Sequence, residues 1–451
     1  MKLALALALA VLAGVAVVLL IAPGHLAVEH PAAPAVLELG APAGPAIALA
    51  GDPVGLSVEY QLLASELGAG SCPPAALVRA IRGLGSPALR IGGDSQDQTA
   101  PAGAAAQAGS SDLPRGFWAR LGCLERETAI PVVVGLNLAA DQPSWAATLA
   151  ADARTAIPPG RLRFELGNEP DIYGSRVAWW NGRALVHSPM PYATYLRRAR
   201  ELVAAIGPAS FIEGPDLASG RWVRAVPALA RTLGLRAIDA HFYPLDACPG
   251  GAGASVSALL SRAVQTKLDE RVRLARDARA AGLPALISEA NSVSCGGLAG
   301  VSDSPASAVW AFRLIVGALR AGFASVRFHS SGGPYDPFAL RGGRLVARPL
   351  YLGLRAAAGV LDAGGALRAV PGGGSLDAVA VSRRNGTVTY LLSNYSPAPR
   401  FVALAAGGPV RILAVIARAP TLLASGASAS DGRARLELPA NSLVAITTAA
   451  G

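Results

Sequence analysis

Short apolar runs alternate with longer Ala/Leu/Arg-rich stretches through most of this chain. Eight such runs stand out: Val54 to Tyr60, Pro87 to Gly92, Ile130 to Leu136, Leu162 to Gly167, Phe211 to Gly214, Ala237 to Tyr243, Pro284 to Glu289 and Phe323 to His329. Segments between them, such as Pro191 to Ile206, Ala254 to Ala281 and Pro305 to Arg320, are long enough for helices. Eight alternations of strand and helix predict an α/β fold, a (β/α)8 TIM barrel. A doubly wound sheet is the alternative, but no Gly-x-Gly-x-x-Gly follows the first run.

After about residue 356 the texture changes to short runs with turns between them: Asp377 to Ser382, Thr387 to Ser393, Phe401 to Ala405, Val410 to Ala417, Ala434 to Leu438 and Leu443 to Thr448. These predict a small β-sandwich. Asn385-Gly386 between two of the runs is a hairpin signal, which explains it better than glycosylation of the Asn385-Gly386-Thr387 sequon. Ala35 to Leu49, extended and apolar, is expected to add a strand to the sandwich from the other end of the chain. The expected division is therefore 1–24 signal peptide or signal anchor, 25–34 Pro/Ala linker, 35–50 N-terminal strand, 51–355 catalytic barrel and 356–451 sandwich.

The leader reading rests on Met1-Lys2 followed by uncharged Leu3 to Ala22. That is an export signal, and it is also long enough to span a bilayer, so cleavage and a membrane tether through residues 3–22 both remain open. The product would be secreted or held on the outer face of the cell membrane. Outside the reducing cytosol the four cysteines pair, and of three possible pairings Cys72–Cys123 with Cys248–Cys295 is preferred, because the second pair follows two runs assigned to adjacent strands. Buried free thiols are the other reading.

Of the 40 basic residues only Lys2 and Lys267 are lysine, and they are dispersed, which argues against a nucleic-acid groove. The net charge of +10 favours an acidic substrate or an anionic surface. Five scattered histidines with no Cys-x-x-Cys or His-Glu-x-x-His spacing point to no metal site. There is no Gly-x-Ser-x-Gly elbow and no Walker loop.

In a TIM barrel the chemistry sits at the C-terminal ends of the strands. There this chain collects Asp94, Asn137, Asn168-Glu169, His241, Tyr243, Glu289 and His329. Two glutamates, Glu169 and Glu289, each end an apolar run. A retaining glycosidase needs two such carboxyl groups about 5 Å apart, one as proton donor and later base, the other as nucleophile.

Leu89-Arg90-Ile91-Gly92-Gly93-Asp94, Gly167-Asn168-Glu169-Pro170-Asp171-Ile172-Tyr173, Ser288-Glu289-Ala290-Asn291-Ser292-Val293-Ser294-Cys295-Gly296-Gly297 and Arg348-Pro349-Leu350-Tyr351 together resemble glycoside hydrolase family 79, the β-glucuronidase and heparanase family of clan A. The resemblance spans roughly residues 35 to 449. It implies Glu169 as acid/base and Glu289 as nucleophile, with no cofactor. It also implies Tyr243 as a contact of the nucleophile, Asn168 as a ligand of the sugar 2-hydroxyl and Asp94 as an acceptor from sugar hydroxyls, with strand-end cap and helix N-cap as the competing roles of the last two. Glu169 would need an apolar or like-charged setting and Glu289 donors or a cation. Arg90 is the candidate donor, an internal ion pair with Glu165 being its other role. His329 lines the pocket or is a core histidine. Backbone amides from Asn291 to Gly297, including Gly296, with Tyr335 would hold a uronate carboxylate. Ser294-Cys295 stand where heparanase has a tyrosine, which argues against endo-cleavage of heparan. Trp179 and Trp180 either stack on a sugar or pack.

The expected function is a retaining exo-acting β-D-glucuronidase acting on a carbohydrate, by resemblance a β-glucuronide or uronic-acid glycan. The alternatives are a β-glucosidase or β-xylosidase of the same clan, or a non-catalytic carbohydrate-binding envelope protein.

Overall fold

A computed structural model of the protein describes residues 36–49, 51, 53–104, 110–207, 209–251, 253–361, 365–383, 385–405, 410–416, 429–430 and 433–448. The expected leader 1–24 and linker 25–34 lie outside the described residues.

Eight parallel strands form one sheet: β1 (Val54–Glu59), β2 (Leu89–Gly92), β3 (Val132–Leu136), β4 (Leu162–Leu166), β5 (Glu213–Leu217), β6 (Ala237–Phe242), β7 (Ala285–Ala290) and β8 (Phe323–Ser330). Their spatial order is 5-6-7-8-1-2-3-4. The ends meet where Phe164 bridges Ile212 and its amide donates to the Phe211 carbonyl at 2.9 Å, closing the barrel. Every residue of β3 is buried, as expected where helices cover the outside and side chains fill the inside.

The inside is charged, and glycines make the room. A Cβ on Gly55 would fall 2.7 Å from the Arg327 side chain, and one on Gly92 would fall 2.7 Å from the Arg90 guanidinium. Both arginines are fully buried and run between Glu165, Glu213 and Glu289. Such a network adds little net stability, since desolvation offsets attraction, but losing one partner would strand a buried charge.

Three expectations shift. The fifth strand is displaced two residues onward, because Phe211 lies outside under the Arg163 guanidinium, 5.0 Å away, and only its carbonyl joins the barrel. The segment Ala254 to Ala281 is three helices, Val256–Leu259, Arg262–Lys267 and Asp269–Ala280. Ser255 and Ser261 accept from the Ala258 and Val264 amides and so start the first and second helices, while the third follows Leu268 without a side-chain cap. The helix Pro349–Leu361 runs through the expected boundary at 355/356. It crosses the helix Pro305–Ala321 so closely that a Cβ on Gly353 would sit 2.7 Å from that of Ala308.

Ten further strands form two sheets. Four strands run in the order Val36–Glu38, Arg400–Ala405, Arg433–Leu438 and Ala429–Ser430, and six in the order Ala43–Ala48, Ala366–Ala369, Leu376–Ser382, Val388–Asn394, Ser442–Thr448 and Val410–Ile416. The segment expected as one N-terminal strand supplies two, one to each sheet, changing sheets at Gly40-Ala41-Pro42, where proline cannot donate to a ladder. Arg433–Leu438 alternates exposed and buried residues, and Leu436 and Leu438 join Leu392, Val402 and Ile446 in the core. The hairpin at Asn385-Gly386 forms, with the Asn385 side chain accepting from the Thr387 amide. Both expected disulfides are present, Cys72–Cys123 and Cys248–Cys295. Among the described residues no helix is long and apolar enough to cross a membrane.

Candidate active site

The C-terminal ends of the barrel strands surround a pocket of 560 Å³. Glu289 projects into it from β7, and Glu169 from the loop directly after β4. Glu169 has φ 52° and ψ 48°, the left-handed region that a non-glycine residue rarely adopts, with its amide donating to the Asp216 carbonyl at 3.1 Å. Such conformations persist where surrounding bonds enforce them, and they cluster at functional sites. One carboxylate oxygen from each glutamate and one ring nitrogen of His241 lie within 4.8 Å of one another. That proximity fits the roughly 5–5.5 Å spacing of a retaining pair better than the roughly 6.5–9.5 Å of an inverting one.

The surroundings of Glu289 favour its anion. Burial alone would raise its pKa, but His329, His241 and Arg90, with the Tyr243 hydroxyl, outweigh it and hold the carboxyl well below the usual range. Arg90 Nη1 donates to Oε2 at 2.6 Å, and the Tyr243 hydroxyl donates to Oε1 at 2.7 Å. Both roles considered for Arg90 hold at once, since its Nε donates to Glu165 at 2.6 Å. Beneath this layer the acids outnumber the cations. Burial, with Asp216 as a like-charged neighbour, pushes Asp239 well above the carboxylate range, and burial carries Glu165 up to about 8 despite Arg90.

His241 links the pair. Its Nδ1 lies 2.9 Å from Glu169 Oε1 and its Nε2 3.3 Å from Asp216 Oδ1. Burial would lower its pKa, yet Glu289, Asp216 and Glu169 together push it well above the ordinary value. Glu169, His241 and Glu289 are also one of three donor clusters among the described residues with a spacing that could hold a metal ion. The Arg90 guanidinium on Glu289 would repel such a cation, so the set suits proton transfer better.

Of the other expected site residues, Asp94, Tyr243, Gly296, His329 and Tyr335 line the pocket. Asp94 starts a short 3-10 helix without capping it by its side chain. Asn168 is buried beside the acid, its Oδ1 accepting from Arg90 at 3.0 Å and its Nδ2 reaching Asp94 at 3.4 Å. His329 is held by Ser57 Oγ at 2.8 Å and Glu59 at 3.3 Å.

Asn291 is a correction. Its side chain is fully buried and donates to the His329 and Tyr335 carbonyls at 2.8 and 3.1 Å, so it ties β8 to the loop after it and does not line the pocket. Three amides of the array expected from Asn291 to Gly297 are also spent. Ser292 donates to the Asn291 side chain, Ser294 to the Leu245 carbonyl and Gly297 to the Ser294 carbonyl. Trp179 packs, its indole donating to the Ser188 carbonyl at 2.7 Å with Arg198 over its ring, and neither it nor Trp180 lines the pocket.

Several pocket residues had no role in the sequence reading. Glu59 ends β1, where the strand-end rule would have found it, and accepts from the Asp94 and Ser95 amides. Asp97 accepts from the amides of Leu138, Ala139 and Asn168 and from the Tyr173 hydroxyl, tying together the loops after β2, β3 and β4. Arg176, in an irregular loop with no periodic signal, pairs with Asp94 at 3.1 Å. Lys267 and Arg271 also line the pocket.

No protein-family model matches the sequence, and no curated protein matches it. Solved structures do share the fold. A 4-O-α-L-rhamnosyl-β-D-glucuronidase from Fusarium oxysporum 12S, solved with Rha-GlcA, aligns with TM-score 0.71 at 17% identity over 92% of this chain and 100% of that one. A GH51 arabinofuranosidase from Xanthomonas axonopodis pv. citri aligns with TM-score 0.62 at 15% identity over 92% and 99%. A GH30 subfamily 8 xylanase from Clostridium acetobutylicum aligns with TM-score 0.57 at 12% identity over 92% and 100%. The likeness is one of fold, to a barrel-plus-sandwich architecture used by glycoside hydrolases.

Proposed function

We propose that this protein is a retaining, exo-acting β-D-glucuronidase of the family 79 type. The observation that carries the reading is the Glu169–Glu289 pair, with oxygens within 4.8 Å and Glu289 held as an anion by Arg90 and Tyr243.

In the first step Glu169 gives its proton to the glycosidic oxygen as the Glu289 carboxylate attacks the anomeric carbon. The C–O bond to the aglycone breaks and a glycosyl ester forms. In the second, the Glu169 carboxylate takes a proton from water as that water attacks the anomeric carbon and releases Glu289. His241, bonded to Glu169 and Asp216, positions the acid/base. Asp94 receives the sugar hydroxyls with the buried Asn168 side chain behind it, and Gly296, Tyr335 and His329 bound the sugar end of the pocket. The Cys248–Cys295 bridge ties the loops after β6 and β7 beside it, which favours a short, exo-type site.

The uronide choice draws on the net positive chain and on the similarly folded glucuronidase that was solved with a glucuronic-acid disaccharide. Export is part of the same reading, because two disulfides fit an oxidising compartment.

The test is nitrophenol release from the β-glucuronide, β-glucoside and β-xyloside by the wild type and Glu289→Ala. Selective glucuronide turnover that the variant loses supports the reading. Preference for a neutral glycoside keeps the mechanism and removes the uronide assignment. Silence on all three favours a carbohydrate-binding role.

A further inference from the structure

A glucuronide brings a carboxylate on C5 of the sugar, and the site must give it donors. Three of the amides expected to do so, those of Ser292, Ser294 and Gly297, already have acceptors within the protein. A cation is the natural replacement, and three line the pocket besides the histidines: Arg176, Lys267 and Arg271.

Two of these are committed elsewhere. Lys267 donates to the Pro244 carbonyl at 2.5 Å, and Arg271 donates to the carbonyls of His241 and Ala218 at 3.3 and 2.8 Å, stitching the ends of β5 and β6. Arg176 stands beside Asp94. Its Nη2 pairs with Asp94 Oδ2 at 3.1 Å, while among the described residues its Nη1 meets only the disulfide sulfurs of Cys295 and Cys248, at 3.4 and 3.7 Å. Sulfur is a weak acceptor, so a strong donor edge is left unfilled. It lies against Cys295, the residue before Gly296, at the sugar end of the pocket, and its side chain is 37% exposed.

We propose that Arg176 is the specificity-determining cation of the pocket: its Nη1 edge binds the C5 carboxylate of a β-glucuronide while its partner Asp94 accepts the hydrogen bond of the neighbouring C4 hydroxyl. This rests on the glucuronidase reading above. C4 and C5 are adjacent ring carbons, so their substituents are presented side by side, as are the donor and acceptor of an ion pair whose atoms are 3.1 Å apart. A neutral glycoside offers the hydroxyl but not the anion. A 4-O-substituted glucuronide offers the anion but no donor to Asp94.

The test measures kcat/KM for nitrophenyl β-glucuronide, its 4-O-methyl ether and nitrophenyl β-glucoside with wild type, Arg176→Gln and Arg176→Lys, each checked by thermal melting. Loss of a charge-assisted hydrogen bond predicts that the glucuronide-to-glucoside ratio falls roughly 10- to 150-fold in Arg176→Gln. Arg176→Lys, which keeps the charge without the planar fork, recovers part of it. The wild type is expected to handle the 4-O-methyl ether less well than the parent. A wild-type preference for glucuronide that survives in Arg176→Gln overturns the Arg176 assignment and leaves the glucuronidase reading standing. Equal falls on both substrates would reduce Arg176 to a support for Asp94. A wild type with no glucuronide preference overturns the underlying reading as well.

Discussion

Tyr243→Phe removes one hydroxyl from the site and little else. That hydroxyl donates to Glu289 Oε1 at 2.7 Å, and Glu289 is only 5% exposed, so water replaces the bond poorly. A hydrogen bond to a charged group contributes about 1.5–3 kcal/mol. At about 1.36 kcal/mol per pKa unit, its loss raises the Glu289 pKa by roughly 1–2 units. Arg90 remains on Oε2 at 2.6 Å and His329 stays 3.5 Å away, so the carboxylate is still ionised at neutral pH. Because the bond favours the anion, Glu289 has a folded pKa below its unfolded one. The stability this contributes is present above the unfolded value of about 4.3 and is lost as pH falls through the folded value. The variant is therefore expected to lose about 1.5–3 kcal/mol in urea denaturation at pH 7. The deficit should persist down to the variant's own raised pKa and close below it. On the glycosidase reading, the acid limb of kcat/KM moves up by the same roughly 1–2 units. A wild-type urea midpoint at pH 7 together with an unmoved acid limb would refute the argument, since no energy could then be assigned to the bond.

Glu169→Gln removes the proton donor at nearly constant size. Hydrolysis of a poor leaving group should fall by about 10²–10⁴, whereas a dinitrophenyl glycoside, which departs without protonation, keeps most of its first-step rate. Equal losses on both would assign Glu169 another role. Replacing Cys72 and Cys123 by alanine opens a loop of sequence separation 51, and loop entropy sets the loss near 4 kcal/mol, read as a lower urea midpoint. A shift below about 1 kcal/mol would mean that the unfolded chain is already restricted there. Gly93→Ala places a Cβ 2.3 Å from Glu59 Oε1 and 2.7 Å from the His329 ring, at φ 79°. Gly103→Ala has a similar φ of 76° and open space, so it reports the backbone cost of about 1 kcal/mol alone. The Gly93 variant should cost at least about 1–3 kcal/mol more and lower turnover, and equal melting temperatures would contradict the crowding.

The barrel was legible because its strands are buried on both faces and therefore read as apolar runs bounded by helix-length stretches. Glu169 and Glu289 were legible because the C-terminal ends of those runs mark the chemical face of the fold. The misreadings have local causes. Phe211 is apolar but shelters under Arg163 outside the barrel, so its run began two residues too early. Ser261 divided the first helix of one expected stretch from the second by capping a backbone amide, and Leu268 divided the second from the third without a side-chain cap. Asn291 lay two residues beyond the nucleophile but turned to carbonyls in the core. Arg176 comes from an irregular loop in which no period distinguishes a pocket residue from a solvated one, and Asp97 from a 3-10 helix too short to show a period.

By itself the sequence determined what depends on neighbours along the chain: the succession of strands and helices, the hairpin at Asn385-Gly386 and the strand ends that carry the two glutamates. Only the tertiary structure decided the partners of those glutamates. Arg90 and Glu289 are 199 residues apart, and Glu169 and His241 are 72 apart, yet each pair lies within hydrogen-bond reach. Hydrophobic periodicity records how a residue is buried relative to its own element, and it holds no information on which other element closes over it. Barrel closure supplies that, bringing eight strand ends around one axis, where burial and charge set the protonation of Glu289 and Arg176 comes to line the pocket.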